Sequence, residues 1–171
     1  TEELVRQSSF VPSAAGEENL SRTQIDAAAE MLLQNMDFSW GGVKGAPKFP
    51  LPVLHEFLLV HHFHTSNERS LEAVTTTLDE MAAGGIYDQL AGGFARYSND
   101  DRWLVPHFEK MLYDNAQLVS LYAHAYQLTG KKRYAEVVRQ SLDFVDQHLT
   151  GSEGQFYASL DADTEGEEGL T

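Results

Sequence analysis

A helical period that recurs in pairs constrains this chain most. Ile25, Ala28, Ala29, Leu32, Leu33 and Met36 follow one another at three- and four-residue steps, which puts them on one face of a helix beginning near Thr23. Ser21 or Thr23 is placed to cap it. The same spacing predicts helices from about Pro52 to His64, Asn67 to Ala83, Pro106 to Thr129 and Lys132 to Leu149. The fourth is apolar round much of its circumference and is expected to be buried. The turns at Thr65-Ser66 and Thr129-Gly130 are short, whereas segments 37–51, 84–105 and 150–171 are long. Short turns make antiparallel helix pairs, so the long connections are expected to emerge at one end of the stack. A shift of 64 residues superimposes six identities on the 15 positions from 65 to 79, which suggests repeated hairpins. Residues 1–22 carry no sustained period and read as a linker or arm.

The long connections carry the unusual residues. Each sets glycine beside an aromatic residue: Trp40-Gly41-Gly42, Gly92-Gly93-Phe94 and Gly154-Gln155-Phe156-Tyr157. Within the second, a β-hairpin is expected with Arg96-Tyr97-Ser98 facing Trp103-Leu104-Val105 across Asn99-Asp100-Asp101-Arg102. Flat aromatic faces beside carboxylates suit stacking and hydroxyl recognition, as a sugar requires. Arg96, Tyr97, Trp103, Asp161 and Asp163 are the candidate contacts. The other reading is that the aromatics plug the end of the helix stack, and both stay open at this point.

The densest cluster is Pro106-His107-Phe108-Glu109-Lys110-Met111-Leu112-Tyr113-Asp114-Asn115. On a helix, Glu109 and Tyr113, or Lys110 and Asp114, would share a face, and His107 would stand two turns from Asp114. A histidine near neutral pKa moves protons to and from carbon or oxygen, and a carboxylate beside it orients it. His107, Glu109, Asp114 and Asp88 are the catalytic candidates. Glu109 and Asp114 read equally well as caps for backbone N–H groups. His55, His61, His62 and His64 lack ligand spacing and read as partly exposed helix residues, as do His124 and His148, so neither metal nor cofactor is expected. Asp161-x-Asp163-x-Glu165-Gly166 resembles half a calcium loop, but no helix precedes it.

Charge narrows the partners. Twelve basic against 26 acidic residues give a net charge of −14. Phosphate recognition needs clustered Lys and Arg, so neither nucleic acid nor an anionic membrane surface is expected as a partner. No apolar run is long enough to span a bilayer, and the beginning, Thr1-Glu2-Glu3-Leu4, lacks the pattern of a signal peptide. The expected compartment is the cytoplasm. There is no cysteine, which removes disulfides, thiolate metal sites and a cysteine nucleophile from the chain.

Several segments carry a family resemblance: Gly45-Ala46-Pro47-Lys48-Phe49-Pro50, Gly84-Gly85-Ile86-Tyr87-Asp88, Gly92-Gly93-Phe94-Ala95-Arg96-Tyr97-Ser98, and the run from Trp103 through Asn115 to Leu118. Residues 23–171 resemble the helical domain of the thioredoxin-domain-containing family of YyaL-type proteins and spermatogenesis-associated protein 20. Val43-Lys44 and Ala91 depart from the family pattern, which has Phe-Gly and Gly there. The resemblance implies a mainly α fold, an (α/α)6 toroid similar to six-hairpin glycosidases and N-acylglucosamine 2-epimerases. Residues 23–171 are then its N-terminal half, without the remaining hairpins or the thioredoxin-like domain. It further implies proton transfer by a pair of histidines, as in the related epimerases, of which this chain offers one, His107. The expected function is accordingly a carbohydrate-binding or epimerase/glycosidase-like fragment with a small sugar as ligand, inactive alone. The alternative is a non-catalytic helical module serving the thioredoxin-like domain. Apolar helix faces left uncovered are expected to promote self-association.

Overall fold

The computed structural model describes residues 21–164 and 167–168. The expected arm over residues 1–22 lies outside them except for its last two residues, and so do Glu165 and Gly166. Among the described residues there are five α-helices: α1 (Arg22–Asn35), α2 (Pro52–Thr65), α3 (Glu68–Ala83), α4 (Leu112–Thr129) and α5 (Lys132–His148). None is long and apolar enough to cross a membrane.

The termini follow from local chemistry. Ser21 closes a capping box with Gln24 at the start of α1. Asn67 accepts the Ser70 N–H at the start of α3, and Gly84 stops that helix by donating to the Glu80 carbonyl. Gly130 ends α4 in the left-handed conformation that glycine adopts without strain. α2 and α3 form one hairpin and α4 and α5 the next. α2 packs beside α4, while α1 leans on α2 and α3. The seam holds Leu58, Leu78, Met81 and an aromatic chain in which Tyr87, Phe94, Tyr122 and Tyr134 follow with ring centroids 4.8–5.5 Å apart. The fourth helix is less enclosed than its composition suggests, because Tyr113, Tyr126 and Leu128 stay exposed. On α2, Val53 and Phe63 are about 70% exposed, which leaves apolar surface open on that helix.

Residues 106–111 are not helical, which corrects the expected start of the fourth helix. They form β2 (Pro106–His107) and β3 (Lys110–Met111), and pair antiparallel with β1 (Tyr97–Ser98) and β4 (Ser159–Leu160) respectively. Partners so distant in sequence leave no trace in a local helical period. The expected hairpin forms, with its register moved by three residues: Tyr97 faces His107 and Ser98 faces Pro106. Asp100 sets that register by accepting the backbone N–H groups of Arg102, Leu104 and Val105, which lengthens the turn. A third pair, β5 (Asp163–Thr164) with β6 (Glu167–Glu168), follows.

Two loops are built on one plan. In the first, the Asp37 N–H donates to the Gly42 carbonyl, and Asp37 Oδ1 accepts from Ser39 and Trp40. Lys48 Nζ then seals the loop, 2.8 Å from Asp37 Oδ2 and 2.7 Å from the Gly41 carbonyl, with the Trp103 ring above it. In the second, Asp88 N–H donates to the Gly93 carbonyl, and Asp88 Oδ1 accepts from Leu90 and Ala91. Lys110 Nζ lies 2.7 Å from Asp88 Oδ2 and 3.0 Å from the Gly92 carbonyl, under Phe144. Burial raises the pKa of both aspartates, but the lysine and backbone hydrogen bonds outweigh it and leave each below its ordinary value. Gly41 and Gly92 have φ near +70° to +80° and lie flush against Thr77 of α3 and Gln140 of α5, where a Cβ would overlap helix backbone.

His55 and His61 are buried, a correction to their expected partial exposure. His61 bonds Ser70 and Asp26. His55 has no hydrogen-bond partner for either ring nitrogen among the described residues.

Two outcomes follow from these environments. Burial lowers the His55 pKa from 6.5 to about 4. Between those values the unfolded chain binds a proton that the folded chain does not, so stability falls as pH drops through that window, by about 3 kcal/mol in all. His55→Leu is expected to abolish this fall and to stabilise the fold by about 1–3 kcal/mol at neutral pH, measured by urea unfolding across the window. Lys48→Met strands a largely buried carboxylate and is expected to cost about 3 kcal/mol. Lys131→Met, which breaks an exposed pair with Asp79, is expected to cost under about 1 kcal/mol in the same assay.

Candidate functional site

The strand pairs gather a cluster at the loop end of the helices. The Arg96 N–H donates to the Glu109 carbonyl, and its guanidinium lies 2.9 Å from Glu109 Oε2. The same carboxylate oxygen is 3.8 Å from His107 Nε2. The Tyr97 ring stacks on His107 with centroids 4.8 Å apart and an interplanar angle of 19°, because β1 and β2 place the two residues opposite each other. Phe49 extends this stack, 4.9 Å from Tyr97. His107 and Glu109 thus meet through a strand pair and the turn after it, not along a helix face.

Beside the cluster lies an open cavity of about 520 Å³ between the starts of α2 and α4. Leu32, Phe49, Leu54 and Phe57 form its apolar wall, and Arg96, Asp114 and Gln117 supply its polar groups. Asp114 stands in the first turn of α4 and is half-buried. Its pKa is raised to about 6: burial is the main cause, Arg96 opposes it and Glu109 adds to it. A carboxyl group that titrates there can both donate and accept a proton near neutral pH.

The other candidate residues lie elsewhere. Asp88 is engaged by Lys110 and by its own loop, so it shapes the loop without entering the cavity. Trp103 is fully buried, donates its indole N–H to the Trp40 carbonyl and presses on Gly42, so neither ring face is open to a ligand. Asp161 follows the Leu160 that pairs with Lys110, one register step from Glu109, and is exposed. Asp163 begins β5, is exposed, and does not line the cavity. No group of three or more His, Asp or Glu capable of holding a metal occurs among the described residues. Phe49 and Gln117 join the site without having been among the candidates from sequence. Phe49 lies in a quoted motif, and Gln117 is three residues past Asp114 on the same helix, so both signals were present.

No family model matches the chain. Spermatogenesis-associated protein 20 from Homo sapiens is 42% identical over 162 residues, covering 92% of this chain and 20% of that protein. The Mus musculus protein of the same name is 42% identical over 145 residues, covering 82% and 18%. The chain therefore spans about a fifth of the curated relatives it matches. Among solved structures, cellobiose 2-epimerase from Spirochaeta thermophila superposes with a TM-score of 0.65 at 19% identity, over 82% of this chain and 41% of that one. A sugar epimerase from a ruminal bacterium gives 0.67 at 14% identity, over 81% and 40%. An unsaturated glucuronyl hydrolase specific for heparin gives 0.67 at 11%, over 81% and 42%. At these identities the likeness is one of fold, that of the (α/α)6 toroids.

The Asp114 environment yields a direct check. In carboxyl NMR titrations Asp114 is expected to titrate near pH 6. Arg96→Ala should move its midpoint up, by removing a favourable charge, and Glu109→Gln should move it down, by removing a like charge.

Proposed function

The chain belongs to the spermatogenesis-associated protein 20 family, and we propose that its loop-end cavity binds a small carbohydrate. The observation that carries this reading is the cavity itself: Phe49 and other apolar side chains line one wall, while Arg96, Asp114 and Gln117 converge from the other. Apolar walls with a few convergent polar groups are the usual composition of a small-molecule site. A sugar presents an apolar face for stacking and hydroxyls for a carboxylate and a guanidinium. In this assignment Arg96, Asp114 and Gln117 bind hydroxyls and Phe49 supplies stacking surface.

His107 and Glu109 are the proton-moving pair, with Asp114 as a second acid/base group. The Tyr97 stack fixes the imidazole plane, and Glu109 Oε2 lies 3.8 Å from its Nε2. Epimerisation beside a carbonyl needs one group to remove a proton from carbon and another to return it on the opposite face. This chain offers His107 on one side, and the opposing group comes from another part of the longer polypeptide. The fragment alone therefore binds without turnover.

A second reading has its own support in the open apolar face of α2, with Val53 and Phe63 largely exposed. There the chain is a non-catalytic helical module that contacts a thioredoxin-like domain, or self-associates through that face.

One experiment separates the two. A panel of mono- and disaccharides is titrated into the full-length protein by calorimetry, and turnover is followed by proton exchange into sugar carbon positions. Binding is expected, weakened about tenfold by Phe49→Ala through lost stacking. His107→Ala is expected to abolish turnover while binding persists. No binding by any sugar, together with partner capture that survives His107→Ala and Asp114→Ala, sinks the carbohydrate reading in favour of the module.

A further inference from the structure

The two sealed loops have a third counterpart, open where they are filled. Met36 bridges Val43 and Tyr87 bridges Phe94, each enclosing a loop that ends in two glycines. Thr150 bridges Phe156 in the same antiparallel manner, and the Gly151 N–H donates to the Gln155 carbonyl just as Asp37 and Asp88 donate across their loops. The third loop is one residue shorter. Aligned from the closing bridge, Gly154 falls on Gly41 and Gly92, and Phe156 falls on Val43 and Phe94. Gly154 also has the matching backbone, with φ +81°.

What the glycines meet is different. A Cβ on Gly41 would run into the Thr77 backbone, and one on Gly92 into the Gln140 backbone; one on Gly154 would meet nothing within 4 Å. Thr77 and Gln140 lie on α3 and α5, the second helices of the hairpins that follow each loop. Phe94, the counterpart of Phe156, is fully buried, whereas Phe156 is 63% exposed and Tyr157 beside it is half exposed. The third loop also has glycine where the others have aspartate, so no carboxylate anchors a lysine there.

The geometry points to residues 150–157 as a docking surface for one further helix of the same polypeptide, the second helix of a following hairpin. It would lie with its backbone flush on Gly154 and cover Phe156. Continuity carries the argument: the same interface is made twice within this chain, and only its third copy lacks an occupant among the described residues. In the first two copies the docked residue lies 36 and 48 positions after the glycine, which sets where the occupant falls in sequence. A contact of this kind needs a helix with a flat backbone approach at that point, not a bulky knob.

The test uses the full-length gene product with Phe156→p-benzoylphenylalanine, irradiated and mapped by mass spectrometry. The expected adduct joins a helical segment roughly 36 to 48 residues beyond Gly154 on the same polypeptide. No adduct, an adduct elsewhere, or one to a second copy overturns the proposal. Stability gives an independent check, because Gly130 shares the positive φ and the open surroundings of Gly154 without belonging to such a loop. In the same full-length protein Gly154→Ala should lower the unfolding midpoint by several degrees more than Gly130→Ala does, and equal shifts overturn the docking.

Discussion

A lysine ammonium enclosed against one carboxylate, one glycine carbonyl and one aromatic ring organises the loop end of this fold, and the chain uses the device twice. Lys48 reaches back to Asp37 and Gly41, and Lys110 reaches back to Asp88 and Gly92. Each lysine is almost wholly out of water, so its charge must be answered locally. That requirement draws a late part of the loop onto an early part and presses the paired glycines against the next hairpin. The second clamp also governs the candidate site. Lys110 belongs to β3, directly after Glu109, so the bond that seals the loop holds the Glu109 backbone where Arg96 can pair with it. The cavity beside Asp114 inherits its position from that pairing.

The comparisons with known proteins and the packing agree on what sort of object this is. Two helical hairpins and one preceding helix follow the course of about two fifths of a sugar-epimerase toroid. The likeness to solved enzymes is one of backbone, while the sequence kinship is with spermatogenesis-associated protein 20. Those two facts separate the scaffold, which is shared widely, from the residues at its loop end, on which any chemistry depends.

Much of the scaffold was legible in sequence because helices announce themselves locally. The periods around Leu33, Leu78 and Val137 and the stops at Gly84 and Gly130 all fall where the structure has them. The segment from Pro106 to Met111 forms strands and not helix for an equally physical reason: its partners are Tyr97-Ser98 and Ser159-Leu160, and cross-strand pairing leaves no local period. Asp88 and Trp103 illustrate a second limit. A carboxylate and an indole in a glycine-rich loop look alike in sequence whether they face a ligand or hold the loop. Only the Lys110 bond and the Trp40 contact decide it. His107, Glu109 and Asp114 stand out in the sequence by residue type, and a strand pair with the turn after it, not a helix face, sets His107 3.8 Å from Glu109.

The depth of the two clamps sets how the molecule responds to dissolved ions. Exposed pairs such as Lys131 with Asp79 sit within reach of counterions and fade once the screening length drops to a few ångströms. Lys48 and Lys110, walled in by Trp103 and Phe144, are shielded from that atmosphere. A chain with a net charge of −14 repels itself, and salt relieves that repulsion everywhere on its surface. Brine therefore spares the loop end its anchors while slackening the outward electrostatic pressure on the rest, so a salty medium tightens this fold.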